Sequence, residues 1–145
     1  MISEFIKLDT IETNVKVNTW QEAVQRAGDL LLKAGAVEKG YIDAMINKVK
    51  ELGTYIVIAP NIAMPHARPE DGVKRTAISI MTLDEGIDFG HEKNDPVKLV
   101  IALAAVDNKS HIDTLARLME ILGDANILNN ILRSKSPKEL YEYIY

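Results

Sequence analysis

Three histidines and no cysteine are present among the 145 residues, so chemistry near neutral pH has few candidate side chains. An imidazole with a pKa near ~6.5 can act as a nucleophile, a proton carrier or a metal ligand. The lack of cysteine excludes a disulfide framework, a thiolate metal site and a cysteine nucleophile. The surroundings of His66, His91 and His111 contain no His-x-His or His-Glu-x-x-His pattern. We therefore expect no metal site.

His66 follows Pro65 at the end of a short apolar segment, and Pro69 comes three residues later. Proline fixes its own φ and favours an extended conformation for the residue before it. We therefore expect a stiff strand-to-loop corner that carries the imidazole. Two interpretations remain open at this point, namely a reactive nitrogen held in a fixed direction or an ordinary loop histidine between two prolines.

His111 lies in the first turn of a predicted helix, after the loop Asp107–Ser110 and the most apolar strand. Ligand sites of α/β sheets gather at the carboxyl ends of strands, where helix N-termini offer N–H groups. The helix dipole should lower the pKa of this histidine and favour its neutral form. The alternative is a surface residue without a role. His91 lies in a polar loop and is assigned no role.

The elements that must position these histidines alternate between helices and strands. Thr19 and Glu22 form a capping box, and Ser136 before Pro137 predicts another helix start. Helices are predicted over about 19–35, 38–52, 110–122, 126–132 and from 136 onwards. Strands are predicted over 11–17, 55–58, 76–83, 87–89 and 97–106, with a turn at 84–86.

The strand Val97–Val106 is apolar nearly throughout, which is typical of a central strand buried on both faces. Helices precede and follow the strands, so we expect an α/β sandwich with a mixed central sheet flanked by helices. A length of 145 residues, with no repeat and no linker, predicts one domain over residues 1–145.

The amino-acid composition limits the kinds of partner that the chain is expected to bind. Lysine and arginine number 17 and the acidic residues 21, a net charge of −4 without a run of like charges. This balance argues against a nucleic-acid partner. The sequence from Met1 to Lys7 lacks the cationic and apolar regions of a signal peptide, and the longest apolar run is too short to span a bilayer. We expect a cytoplasmic protein with no direct membrane insertion.

The segment Asn61–His66 resembles the active-site motif of the mannitol/fructose-type enzyme IIA domains (EIIA type 2) of the bacterial phosphoenolpyruvate-dependent sugar phosphotransferase system (PTS). The apolar-Ala-apolar-Pro-His core carries this resemblance. Asp95–Val97, followed by Asp107–Ile112, resembles the family's second block. Pro65–Pro69 is closer to the ascorbate-type branch. The order of elements agrees from about Thr19 to Tyr145.

The resemblance implies a phosphoryl carrier. His66 would accept a phosphoryl group from the phosphohistidine of the phosphocarrier protein HPr and pass it to a cysteine of a cognate enzyme IIB, which serves a membrane enzyme IIC. His111 would stabilise the phosphate without carrying it. The branch implies uptake of L-ascorbate or a related sugar. No metal or cofactor is implied, because the donor is already a phosphohistidine.

The sequence departs from the family at one point. Mannitol-type members have an arginine upstream of the active histidine that helps to hold the phosphate, whereas Asn47–Glu51 contains none. Either a lysine of this region acts as a point charge, or Arg68 supplies a planar fork. We expect Arg68, because it lies within the branch-like motif. We also expect Ser110 and the amides of residues 110–112 to face the phosphate.

Two questions stay open. Ile62 and Met64 could form a docking patch for transient partners, or they could be core residues. A regulatory enzyme IIA-like protein, which would control its partners through its phosphorylation state, is the alternative to a component of sugar transport.

Overall fold

A computed structural model describes residues 4–144 of the chain. Met1–Ser3, which contribute to the prediction of no signal peptide, and Tyr145 lie outside the described residues. That residues 1–145 form one domain stays a prediction. None of the described helices is long and apolar enough to cross a membrane.

The described residues form one mixed five-stranded sheet in the order β1-β4-β5-β3-β2. The strands are β1 Ile11–Val15, β2 Val57–Ala59, β3 Ile62–Ala63, β4 Ala77–Ile87 and β5 Val97–Ala104. The helices are α1 Trp20–Lys33, α2 Lys39–Leu52, α3 Asn108–Leu122, α4 Ala125–Arg133 and α5 Pro137–Ile144. The predicted α/β sandwich with a mixed central sheet is confirmed.

Strand β5 is the middle of the sheet, antiparallel to β4 and parallel to β3. Val100 and Ala102 belong to the core that α1 and α2 cover. Leu99, Ile101 and Leu103 belong to the opposite core, under α3, α4 and α5. Because successive side chains of a strand point to opposite faces, a strand covered on both faces must be apolar at almost every position. The prediction of a central strand is confirmed.

Helix α1 begins as predicted, because the side chain of Thr19 accepts a hydrogen bond from the N–H of Glu22 at 3.1 Å. Helix α2 ends before Gly53, whose φ of +82° suits glycine. Gly28 of α1 lies so close to α2 that an added Cβ would be 2.8 Å from a side-chain carbon of Ile42.

The structure differs from the predicted elements in three regions. Helix α3 begins at Asn108 rather than Ser110, because the carboxylate of Asp107 caps it. The turn expected at 84–86 is an exposed part of the continuous strand β4, so polar residues there mark a solvent-facing extension. Residues 54–56, which include the predicted start of a strand, form a 3-10 turn before β2. Asn61, with a φ of +70°, then reverses the chain into β3, a strand that the sequence did not predict.

Candidate active site

His66 follows β3 after Met64 and Pro65, at the strand-to-loop corner. The N–H of Leu103 in β5 donates to the carbonyl oxygen of Pro65 at 3.1 Å, within an isolated parallel bridge between His66 and Leu103. On the other side, the N–H of Met64 donates to the carbonyl oxygen of Ile56 at 2.7 Å. The backbone that carries His66 is therefore fixed to the central strand and to the turn before β2.

The imidazole of His66 has a defined tautomer. Its Nδ1 lies 2.9 Å from the carbonyl oxygen of Met64. Since a carbonyl oxygen only accepts hydrogen bonds, Nδ1 carries the proton and Nε2 keeps a free lone pair. The ring of Tyr55 packs edge-on against the imidazole, with centroids 5.6 Å apart and planes at 81°. These contacts fix the direction of the ring and leave Nε2 as its nucleophilic atom.

His111, the fourth residue of α3, lies beside His66. The centroids of the two imidazoles are 5.0 Å apart and their planes are inclined by 53°. Both histidines follow the carboxyl ends of parallel strands, β3 for His66 and β5 for His111. The structure thus brings together the two histidines that the sequence singled out, at the predicted edge of the sheet.

The two histidines line a cleft of about 200 Å³. Its other lining residues are Lys48, Ala67, Arg68, Pro69, Ala105 and Asn108. In the described part of the chain this lining holds two cations, two imidazoles and one amide, and no carboxylate. A small cleft with that lining is suited to an anionic group such as a phosphoryl group.

Burial is the main cause of the lowered pKa of His66. The hydrogen bond to Met64 raises it, and the charges of His111 and Lys48 lower it further. The pKa of His111 is also lowered, first by burial and then by the charge of Lys48. The direction predicted for His111 is therefore right, although the cause differs from the helix dipole. The lowered pKa of each ring favours the neutral form, the state in which an imidazole nitrogen can attack an electrophile.

Lys48 and Arg68 occupy different environments. The ammonium charge of Lys48 acts on both histidines from α2. The Nε of Arg68 lies 3.6 Å from Oε1 of Glu70 and 3.9 Å from Oδ2 of Asp71, and its side chain is 67% exposed. Arg68 therefore faces the carboxylates of its own loop. Both Lys48 and Arg68 line the cleft, so the expected phosphate-binding role of Arg68 stays a prediction, and Lys48, from the region where the family has its arginine, is a second candidate cation.

Ser110 takes part in the cap of α3, and its expected contact with phosphate stays a prediction. Its N–H donates to Oδ1 of Asp107 at 2.7 Å, and this hydrogen bond is the main cause of the lowered pKa of Asp107. The N–H of His111 donates to the carbonyl oxygen of Asp107 at 3.1 Å. These groups are thus committed within the helix cap, while Asn108, which the sequence reasoning missed, lines the cleft.

The other candidates lie elsewhere. Nδ1 of His91 accepts the N–H groups of Lys93 and Asn94 at 3.3 and 3.1 Å, so this ring holds a turn together. Ile62 and Met64 are 2% and 1% exposed. The interpretation of these two residues as a partner-binding surface is therefore wrong, and their interpretation as core residues is confirmed. Within residues 4–144, no group of three or more potential ligands could hold a metal ion.

The fold and the site define an α/β domain in which a partly buried histidine, with a second histidine and a lysine beside it, faces a small cleft suited to an anion. The family model of the phosphoenolpyruvate-dependent sugar phosphotransferase system, EIIA 2, matches residues 4–145, and the chain belongs to this family. The resemblance seen in its motifs is confirmed. As a PTS enzyme IIA component, the chain is a phosphotransferase that uses a phosphohistidine intermediate.

Relatives and solved structures agree with this assignment. The chain is 39% identical over 137 residues to the ascorbate-specific PTS system EIIA component of Salmonella choleraesuis (strain SC-B67), covering 94% of this chain and 89% of that protein. The mannitol-specific cryptic phosphotransferase enzyme IIA of Escherichia coli matches with a TM-score of 0.88 and 34% identity, over 99% and 97% of the two chains. Mannitol enzyme IIA in a complex with phosphorylated mannitol enzyme IIB, also from Escherichia coli, matches with a TM-score of 0.84 and 32% identity, over 96% and 97%.

Proposed function

We propose that Nε2 of His66 accepts a phosphoryl group from the phosphohistidine of HPr and passes it to a cysteine of a cognate enzyme IIB. The observation that carries this proposal is the 2.9 Å contact between Nδ1 of His66 and the carbonyl oxygen of Met64, which leaves Nε2 unprotonated beside the cleft. In the first step the Nε2 lone pair attacks phosphorus, and the electron pair of the breaking N–P bond returns to the imidazole of the donor. In the second step a thiolate attacks phosphorus, and the electron pair returns to Nε2.

The hydrogen bond to Met64 serves both steps. Phosphorylation at Nε2, with the proton kept on Nδ1, gives the ring a positive charge. The Met64 carbonyl oxygen accepts the hydrogen bond of Nδ1 throughout and stabilises that charge. Loss of the phosphoryl group then restores the neutral tautomer with no net proton transfer. The same ring can therefore act as nucleophile and as leaving group.

The neighbouring groups stabilise the transferred phosphoryl group. Phosphoryl transfer passes through a loose, in-line transition state, so positioning and charge neutralisation provide most of the catalysis. We assign the cationic role to Lys48, whose charge acts on both histidines. His111, 5.0 Å from His66 between ring centroids, donates a hydrogen bond to the phosphoryl oxygens. Arg68 is secondary because it faces Glu70 and Asp71.

Exposed apolar side chains near the cleft support docking of protein partners. Ile112, 63% exposed, follows His111, and Val106 follows the cleft residue Ala105. Met119 lies two helical turns after Ile112 on the same side of α3 and is also exposed. We name Val106, Ile112 and Met119 the docking patch. A modest apolar patch of this kind suits partners that must bind and dissociate in turn.

The proposal for the transported sugar rests on the similarity of this chain to ascorbate-specific EIIA components. The similarity to the ascorbate-specific EIIA component of Salmonella supports uptake of L-ascorbate or a related sugar, by way of a cognate enzyme IIB and the membrane enzyme IIC. The sugar itself does not contact this chain in the proposed relay. Incubation of the phosphorylated chain with enzyme IIB proteins of ascorbate and mannitol systems tests the assignment, with faster transfer expected to the ascorbate protein. A chain that passes its phosphoryl group to neither would favour the regulatory alternative.

Intact-mass spectrometry tests the site. Phosphoenolpyruvate, enzyme I and HPr together should add one acid-labile phosphoryl group to the wild type and none to His66→Ala. His91→Ala is the matched control, because His91 lies in a loop outside the cleft, and it should be phosphorylated like the wild type. Equal phosphorylation of His66→Ala would exclude His66 as the acceptor.

A further inference from the structure

The fully buried Tyr41, near the start of α2, contacts the segment that carries His66. Its hydroxyl donates to the carbonyl oxygen of Leu103 at 2.6 Å and accepts the N–H of Ala67 at 3.0 Å. The carbonyl oxygen of Ala67 lies 3.3 Å from the same hydroxyl. The hydroxyl thus connects the residue after His66 with the central strand.

This hydroxyl bridges two groups of a parallel ladder. His66 and Leu103 form an isolated parallel bridge. In a regular parallel ladder such a pair is flanked by two hydrogen bonds, here from the N–H of Leu103 to Pro65 and from the N–H of Ala67 to Leu103. The first is present at 3.1 Å. At the second position the Tyr41 hydroxyl accepts a hydrogen bond from the N–H of Ala67 and donates one to the carbonyl oxygen of Leu103. The ladder is therefore completed through a side chain immediately after His66.

The same helix also delivers the cation of the cleft. Lys48 follows Tyr41 by seven residues, two helical turns, so both side chains project from one side of α2. The Tyr41 hydroxyl holds that side of α2 against Ala67 and Leu103. Burial raises the pKa of Tyr41 to about 12, so the hydroxyl keeps the proton that it donates to Leu103.

We propose that Tyr41 is a positioning residue for phosphoryl transfer, whose hydroxyl fixes the backbone after His66 and holds Lys48 in register with the histidine pair. The inference rests on the proposed role of His66 as acceptor. Without the hydroxyl, the N–H of Ala67 and the carbonyl oxygen of Leu103 lose their shared partner in a buried place. The segment must then shift toward β5 or admit water, and either change displaces the imidazole relative to Met64 and His111.

The test compares Tyr41→Phe, which removes only the hydroxyl, with Ser79→Ala. Ser79 is a matched control, because it is fully buried in β4 and its hydroxyl donates to the carbonyl oxygen of Ala27 at 2.8 Å, away from the cleft. Both variants lose one buried hydroxyl that is hydrogen-bonded to the backbone. The measurements are the rate of phosphorylation by phosphorylated HPr, the rate of transfer to enzyme IIB, and the ¹⁵N shifts of the His66 ring nitrogens.

We expect the maximal transfer rate of Tyr41→Phe to fall about tenfold or more, a loss of about 1.4 kcal/mol of transition-state stabilisation, with little change in the KM for HPr. Its His66 ring should show a mixture of tautomers in place of the single Nδ1–H form. Ser79→Ala should keep the wild-type rates and the single tautomer even if its stability falls. A purely structural tyrosine would alter stability in Tyr41→Phe without altering the tautomer or the rate at saturating HPr.

Wild-type rates and a single tautomer in Tyr41→Phe would overturn the inference while leaving His66 as the acceptor. A wild type that is phosphorylated elsewhere would remove the proposed function, and the ring shifts of Tyr41→Phe would still report whether the hydroxyl orients His66. If Tyr41→Phe does not fold, NMR of the wild type before and after phosphorylation tests the positioning role instead. Its Tyr41 hydroxyl proton and Ala67 amide should shift on phosphorylation more than the Ser79 amide does, and equal shifts would count against a positioning role.

Discussion

Nδ1 of His66 lies 2.9 Å from the carbonyl oxygen of Met64, only two residues earlier in the chain. The contact spans Pro65, whose ring restricts the backbone between the two groups. A local backbone acceptor thus fixes the tautomer of the ring and leaves Nε2 with its lone pair, and no second side chain is required for that choice. Under the proposed function, the proton held on Nδ1 lets the same imidazole accept a phosphoryl group and release it.

Replacement of His111 separates acceptance from onward transfer. We expect His111→Ala to be phosphorylated on His66 but to transfer to enzyme IIB about 100-fold more slowly, because one hydrogen-bond donor to the phosphoryl oxygens is lost. Rapid-quench measurement of the labelled phosphoryl group gives both rates. Unchanged transfer to enzyme IIB would remove His111 from the mechanism.

Lys48 and Arg68 can be ranked by parallel substitution. Lys48→Ala should slow phosphoryl transfer about tenfold, because the charge that acts on both histidines is lost. Lys48→Arg keeps the charge and should recover most of the rate. Arg68→Ala should change the rate less than about twofold, since an exposed ion pair contributes little. A larger loss in Arg68→Ala than in Lys48→Ala would return the cationic role to the arginine.

The lowered pKa of His66 predicts a definite pH dependence. Burial holds the folded-state pKa below its ordinary value of 6.5, so at a given pH the folded ring is protonated to a smaller extent than the ring in the unfolded chain. Below pH 6.5, His66 in the unfolded chain is protonated to a greater extent than His66 in the folded chain. The free energy of unfolding therefore decreases as the pH is lowered, until the pH passes the folded-state pKa. His111 contributes in the same direction.

An NMR titration of the ring protons measures the first effect, and urea unfolding between pH 8 and 5 measures the second. His66→Gln should show a weaker loss of stability over this range than the wild type. A His66 ring that titrates above 6.5 would contradict the proposed cause.

Charge placed in the docking patch should weaken partner binding. Ile112→Asp introduces a carboxylate beside the cleft and should raise the KM for HPr and enzyme IIB by about fivefold or more, with little effect on the maximal rate. Leu8→Asp is the matched control, because Leu8 is also exposed but lies in a separate groove with Tyr141 and Lys138. Equal effects of the two substitutions would indicate that the patch is not the docking surface.

Two glycine substitutions test the packing of α1 on α2. Gly28→Ala should lower the free energy of unfolding by roughly 1–3 kcal/mol, because its Cβ would lie 2.8 Å from Ile42. Gly40→Ala, in the first turn of α2, meets nothing within 4 Å and should be neutral or stabilising by at most about 1 kcal/mol. Urea denaturation of both variants checks the contrast, and a stable Gly28→Ala would show that the two helices can separate at little cost.

The sequence predicted the helices and the central strand because their signals are local. The capping of α1 by Thr19 and the uniform apolarity of β5 needed no knowledge of distant residues. The start of α3 was wrong because Asp107 and Ser110 are both good capping residues, and only the fold shows that Asp107 caps the helix. Strand β3 has two residues and depends on the left-handed Asn61, so no periodicity could indicate it.

The site was predicted in the same uneven way. The family motif led to His66 and His111, because each lies within a recognisable stretch of chain. Lys48 comes from a different element, and its effect on both rings depends on how α2 packs against the segment after β3. Tyr41 gave no signal, since a tyrosine on the apolar side of a helix is indistinguishable in sequence from any other core residue.

The carboxylate of Asp107 at the start of α3 has a consequence for the energetics of the relay. A helix start with free amides is a strong trap for phosphate, and a trapped group would be costly to hand on. Here a negatively charged cap occupies that position, and the cleft offers side chains such as Lys48 and His111 instead. Under the proposed function, the phosphorylated chain is thereby kept at high transfer potential, so that the group moves downhill to the next carrier rather than resting on this one.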